Sequence, residues 1–216
     1  MRFDSLIFDL DGTLWNSTDG ILAAWAQVFK LHQEINRKSV DEQELTSNFG
    51  LPLDQIAANM FPDLPADKRM SLMDECCQLE NVWLARHGGR LYPGEIDALE
   101  RLSSRVPLSI VSNCQKGYVE SYLQGNGTQK FFDDHECSGK TGLSKGRNIM
   151  LVMARRGYQN PAYIGDTQSD ADAAKEAGIP FIYARYGFGQ VDGCQYIIDR
   201  LDQLIPILEG KHDIEE

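Results

Sequence analysis

Leu6-Ile7-Phe8-Asp9-Leu10-Asp11-Gly12-Thr13-Leu14 is the stretch on which the fold turns. The apolar run at 6–8 reads as a buried strand, and it ends on two carboxylates and a turn. Side chains alternate along a strand and the following turn re-aims them, so Asp9 and Asp11, one residue apart, can project into one crevice. Gly12 lets the backbone approach a ligand closely, and Thr13 adds a hydroxyl. An isolated Asp-x-Asp-Gly is as often an ordinary acidic turn, so the rest of the chain decides its meaning.

Three later segments end in polar groups of the same kind. Pro107-Leu108-Ser109-Ile110-Val111 reads as a strand closing on Ser112 and Asn113. Lys145 stands before the helical pattern Ile149, Val152, Met153, and Ala162-Tyr163-Ile164-Gly165 runs into Asp166 and Asp170. In a parallel sheet the carboxyl ends of the strands share one edge, where open α/β folds bind ligands. That edge would gather carboxylates, a hydroxyl, an amide and an ammonium. Three clustered carboxylates raise one another's pKa, and a hard divalent cation resolves the conflict. Oxygen donors with no His or Cys nearby favour magnesium.

With these residues in order, the chain resembles the haloacid dehalogenase superfamily of hydrolases, in its phosphoglycolate-phosphatase-like branch with a helical cap. The first motif of that superfamily matches Asp9-Leu10-Asp11-Gly12-Thr13 and the second Ser112-Asn113; the third is a lysine, and the fourth matches Gly165-Asp166-Thr167-Gln168-Ser169-Asp170. The likeness spans nearly the whole chain. It implies that Asp9 is a nucleophile forming an aspartyl-phosphate, and that Asp11 acts first as acid and then as base. It also implies that Thr13, Ser112 and Asn113 bind substrate and that Lys145 offsets phosphoryl charge. Magnesium would be held by Asp9, the Asp11 backbone carbonyl and Asp166, with Asp170 acting through a coordinated water. The family lysine usually precedes a proline, whereas here Lys140 and Lys145 compete; Lys145 is favoured because it directly precedes the helical pattern. Asp11 favours phosphate esters over haloacids and phosphonates, whose leaving groups need no proton. Phosphonate-cleaving relatives also use a cap lysine, and no context singles out Lys30, Lys38 or Lys68.

Residues 15–89 lie outside what the core strand order needs, and they read as helices. One stripe is Ile21, Leu22, Trp25, Val28, Phe29, Leu31. An acidic first turn follows at Asp41, Glu42 and Glu44, with Ser39 offering the N-cap. Leu53, Ile56, Ala57 and Met60 form a third stripe, and Met70, Met73, Cys76, Leu79, Val82 and Trp83 a fourth that Gly88 and Gly89 stop. This predicts a four-helix cap, 15–89, on a core of 1–14 and 90–216, hinged near 14–17 and 87–92. Beyond it, helices expected at 115–123, 149–156, 172–177 and 201–208 alternate with strands at 108–111, 162–164, 181–184 and 196–198. The expected class is α/β: a Rossmann-like parallel sheet in three α/β/α layers with an inserted α-helical cap.

A length of 216 residues suits a core plus an insertion, at about 150 residues per domain. No apolar run approaches the roughly 18 residues of a membrane span, and the amino terminus carries no secretory pattern, so the cytoplasm is the expected location. Five cysteines without Cys-x-x-Cys spacing, and His32, His87, His135 and His212 without ligand spacing, indicate neither a disulfide framework nor zinc. The net charge of -11 opposes nucleic acid and anionic membranes as partners and leaves a small phosphorylated metabolite. The leading expectation is a magnesium-dependent phosphomonoesterase. A sugar-phosphate phosphomutase, a catalytically silent ligand-binding relative and a receiver-like signalling module are the rivals. The sequence sets no oligomeric state, and the tail from 211 to 216 reads as disordered.

Overall fold

Ser5, Leu6, Ile7 and Phe8 are all buried, as residues of a strand covered on both faces must be. In the computed structural model, which describes residues 1–32, 35, 37 and 39–211, they form β1 (Ser5–Phe8). The chain then enters a short antiparallel ribbon of β2 (Trp15–Asn16) with β3 (Arg90–Leu91). Between those strands run α1 (Thr18–Leu31), α2 (Glu42–Thr46), α3 (Leu53–Met60) and α4 (Ala66–His87). After β3 come α5 (Glu95–Ser103), β4 (Leu108–Ser112), α6 (Tyr118–Asn126), β5 (Asp134–Cys137), α7 (Ser138–Thr141) and α8 (Lys145–Arg156). The chain continues with β6 (Pro161–Gly165), α9 (Gln168–Ala177), β7 (Phe181–Ala184), β8 (Tyr196–Ile198) and α10 (Leu204–Leu208).

The large sheet has the order β5-β4-β1-β6-β7-β8, with every pairing parallel. Parallel neighbours require crossovers, and the helices that make them cover both faces. Leu6 and Phe8 face one side, in a cluster with Leu108, Ile110, Leu99 of α5 and Leu204 of α10. Ile7 points the other way, into Val111, Tyr163, Ile149 of α8 and Ala174 of α9. Each such large apolar side chain contributes about 1.5–3 kcal/mol on burial. The architecture is the expected three-layer α/β/α sheet, and β1 sits in the middle of it.

Caps explain where element boundaries differ from expectation. Asp41, not Ser39, caps α2 by accepting from the Glu44 N–H at 2.8 Å. α6 starts at Tyr118 rather than at 115, because Gly117 ahead of it holds a left-handed φ of +93°. α9 starts four residues early, at Gln168, since Thr167 and Asp170 make a capping box. The closing segment is a 3-10 turn at Leu201–Gln203 followed by a short helix. Leu31, expected on the buried stripe of α1, is 78% exposed. The β2–β3 ribbon and α7 were not anticipated. His212, Lys38 and residues 212–216 lie outside the described residues. No helix among the described residues is long and apolar enough to cross a membrane.

Candidate active site

The sheet order brings the polar strand ends together. Asp9 follows β1, and its backbone N–H donates to the Ile164 carbonyl of β6 at 2.8 Å. Ser112 ends β4 on one side of β1, and Asp166 follows β6 on the other. Lys145 opens α8, whose first turn is fixed by Ser144 accepting from the Arg147 N–H. All four therefore arrive at one edge for reasons of topology.

Lys145 is almost fully buried, and its Nζ donates to Asp9 Oδ1 at 2.9 Å and to Asp170 Oδ1 at 2.7 Å. Lys140 instead pairs with Glu136 at 3.1 Å, away from this cluster. Burial alone would lower the Lys145 ammonium, but the charges of Asp170 and Asp9 and the two hydrogen bonds push it well up. Asp9 moves to about 7: burial and the Asp170 charge raise it, and Lys145 opposes them. Burial, then Asp170 and Asp9, raise Asp166 well above the carboxylate range, although the Phe188 and Gly189 N–H groups donate to its Oδ2 at 2.7 and 3.3 Å.

Asp9, Asp166 and Asp170 each offer an oxygen within 4.8 Å of the others. Three carboxylates against one ammonium leave an excess of negative charge in a buried site, and oxygen donors at this spacing suit a hard divalent cation. The backbone is shaped around the cluster. Gly12 has φ +80°, and a Cβ there would fall 2.2 Å from Asp166 Oδ2; one on Gly187 would lie 2.3 Å from Asp166 Cβ. Both Asp170 oxygens are engaged, Oδ1 by Lys145 and Tyr163, Oδ2 by the Asp166 N–H and by the N–H and hydroxyl of Thr167. That occupancy suits an indirect contact with an ion better than a direct one.

The Asp11 side chain turns away from this cluster. Its Oδ1 accepts from Ser17 Oγ at 2.5 Å, and the Tyr118 hydroxyl lies 2.9 Å from the same oxygen and 2.8 Å from Ser17 Oγ. The Asp11 carboxylate is thus not among the three that cluster closely enough to share an ion. Burial pushes its carboxyl up to about 6 against the lowering effect of the Ser17 and Tyr118 bonds. Thr13 is buried, with its hydroxyl directed at Asp166 Oδ1 at 3.4 Å.

Asp9, Asp11, Ser112 and Asn113 floor a cavity that encloses about 610 Å³ of atom-free space, part of it continuous with solvent. Its walls come from α1, α3, α4 and the 45–53 segment. Asn113 Nδ2 donates to the Gly50 carbonyl at 3.0 Å, while its Oδ1 accepts from Ser138 Oγ at 2.9 Å. The Asn113 amide therefore ties the helical segment to the sheet edge. Phe49 packs edge-on against Phe188 with ring centroids 5.0 Å apart, a second tie of the same kind. Phe49, Gly50, Leu51, Leu53 and Gln115 also line the cavity.

Tyr118, Glu80 and the Phe188–Gly189 backbone were not anticipated. Only Glu80 left a trace in the sequence: Met73, Cys77, Glu80 and Leu84 share one helical face, and a lone acid on such a stripe marks a buried polar position. Tyr118 and the 188–189 loop depend on long-range packing and left none.

A family model described as haloacid dehalogenase-like hydrolase matches residues 6–184. A phosphoglycolate phosphatase of Synechococcus elongatus is 34% identical over 102 residues, 46% of this chain and 48% of that protein. The Escherichia coli phosphoglycolate phosphatase is 24% identical across 95% of this chain and 92% of its own length. Among solved structures, one described as a predicted phosphoglycolate phosphatase from Haemophilus somnus superposes with a TM-score of 0.83 at 21% identity, covering 96% of this chain and 99% of that one. A haloacid dehalogenase-like family hydrolase from Streptococcus pneumoniae gives 0.80 at 24% identity, with the same coverage.

Proposed function

This chain belongs to the haloacid dehalogenase-like hydrolase family, and from that premise we propose that it is a magnesium-dependent phosphomonoesterase acting on a small phosphorylated metabolite through an aspartyl-phosphate. The observation that carries the reading is the Asp9 carboxylate, held through Oδ1 by Lys145 while Oδ2 has no hydrogen-bond partner among the described residues. That oxygen is the nucleophile. It bonds to phosphorus as the ester P–O bond breaks, and the departing alcohol takes a proton from Asp11. A water then loses its proton to Asp11 and attacks phosphorus, which releases phosphate and frees Asp9.

Ser17 and Tyr118 hold the Asp11 carboxyl in place, and burial keeps its proton affinity high enough for both roles. Ser112 and Asn113, with Thr13 and the backbone amides of the first loop, bind the phosphoryl oxygens. Lys145 offsets charge on the transferring group. Bound at Asp9, Asp166 and the Asp11 carbonyl, with Asp170 acting indirectly, magnesium would supply the positive charge that lets a phosphate dianion approach a carboxylate. Residues 15–89 act as a cap over a core of 1–14 and 90–216; opening on the β2–β3 ribbon admits substrate and closure excludes water. The enzyme works in the cytoplasm.

The test is phosphate release from a panel of phosphate esters, in magnesium and in EDTA. Turnover is expected to need magnesium, and Asp9→Asn is expected to lose it while keeping the fold by circular dichroism. Activity within about tenfold of wild type in that variant would reject the nucleophile. Interconversion of sugar phosphate isomers without phosphate release would make the chain a mutase instead.

A further inference from the structure

The cavity wall contributed by the helical segment is mostly apolar, with Trp25, Leu45, Phe49, Leu53, Ile56 and Met73 along it and the uncharged amide of Asn48 among them. One acid interrupts it. Glu80, 4% exposed, accepts from Trp25 Nε1 at 2.7 Å and from Gln115 Nε2 at 2.7 Å. Both donors are neutral, and no Lys or Arg among the described residues pairs with it or lines the cavity. Lys30 and Lys68 of the helical segment are exposed and do not line it.

A buried carboxyl without a cation is costly unless what occupies the cavity relieves it or leaves it protonated. An anionic group brought into this space would be stripped of water against apolar walls, with no Lys or Arg among the described residues lining it. An apolar group would meet complementary walls. Burial pushes Glu80 up to about 8, over the lowering effect of the Gln115 and Trp25 bonds, so near neutral pH the carboxyl is mostly uncharged and can sit beside an apolar group.

Resting on the phosphomonoesterase reading, we infer that the alcohol half of the substrate is apolar and carries no negative charge, because the walls that receive it offer apolar contact and no Lys or Arg among the described residues. Phosphoglycolate, the compound in the names of the relatives, has a carboxylate in that half and falls outside this class.

The experiment compares isobutyl phosphate with phosphoglycolate, which match in heavy-atom count and branching, using the full chain in magnesium with p-nitrophenyl phosphate as a general reporter. The ratio of kcat/KM is expected to favour isobutyl phosphate by at least about tenfold. Phosphoglycolate turned over as efficiently as isobutyl phosphate would overturn the inference. With p-nitrophenyl phosphate hydrolysed, that result removes this inference alone; no magnesium-dependent release from any ester removes the phosphomonoesterase reading and this inference with it.

Discussion

Asp11 and Tyr118 are 107 residues apart in sequence and 2.9 Å apart in space. Tyr118 opens α6, is 2% exposed, and has its ring against Trp15 at a centroid distance of 5.5 Å. The phenol is therefore a fixed donor, and with Ser17 it sets where the Asp11 carboxyl points. A hydrogen bond to a charged group contributes about 1.5 kcal/mol or more, which corresponds to roughly tenfold in rate if the bond acts on the reacting group. Tyr118→Phe is expected to lower kcat by about that factor with KM changed less than about threefold, because the ring packing survives and only the orientation of Asp11 loosens. Steady-state kinetics on any turned-over ester would check it; a rise in KM at constant kcat would assign Tyr118 to substrate binding instead.

At the scale of elements, α5 offers a titration that is separate from the metal cluster. Glu95, its first residue, is buried, accepting from the Tyr122 hydroxyl at 2.9 Å and the Tyr92 N–H at 3.1 Å. Burial pushes it up to about 8 from an ordinary 4.5, against the lowering effect of those two bonds. A carboxyl whose folded pKa lies above its unfolded one contributes stability that is complete below about 4.5 and is lost as pH rises toward 8. Glu95→Gln cannot ionise, so whatever it costs at pH 5 it should cost less at pH 8. Thermal melts of both proteins at the two pH values would read this as a narrowing, or reversal, of the Tm gap; a gap that widens with pH would contradict it. The elements themselves were legible where periodicity was strong, as in α1, α4 and the strands at 181–184 and 196–198. Starts governed by capping were misread by three or four residues, because Gly117 and the Thr167–Asp170 box act through backbone geometry rather than through an apolar pattern.

The whole molecule holds three buried carboxylates and one ammonium at the strand ends, so a bound dication should stabilise the native state by mass action. Added magnesium is expected to raise Tm, and Asp166→Asn to abolish most of the rise; at this chain length 1 kcal/mol corresponds to about 2–4 °C. Differential scanning calorimetry with magnesium and with EDTA would measure it, and an equal rise in wild type and variant would place the ion elsewhere. The sequence by itself determined the α/β class, the parallel sheet and the polar groups at three strand ends and ahead of one helix, because burial pattern and local turn chemistry are written residue by residue. It left Lys140 and Lys145 in competition, and only the tertiary structure, by setting Lys145 between Asp9 and Asp170, brought one of them to the cluster. Tyr118, Glu80 and the 188–189 amides likewise belong to the site only through the strand order and the packing of α4 and α6, contacts that no local pattern specifies.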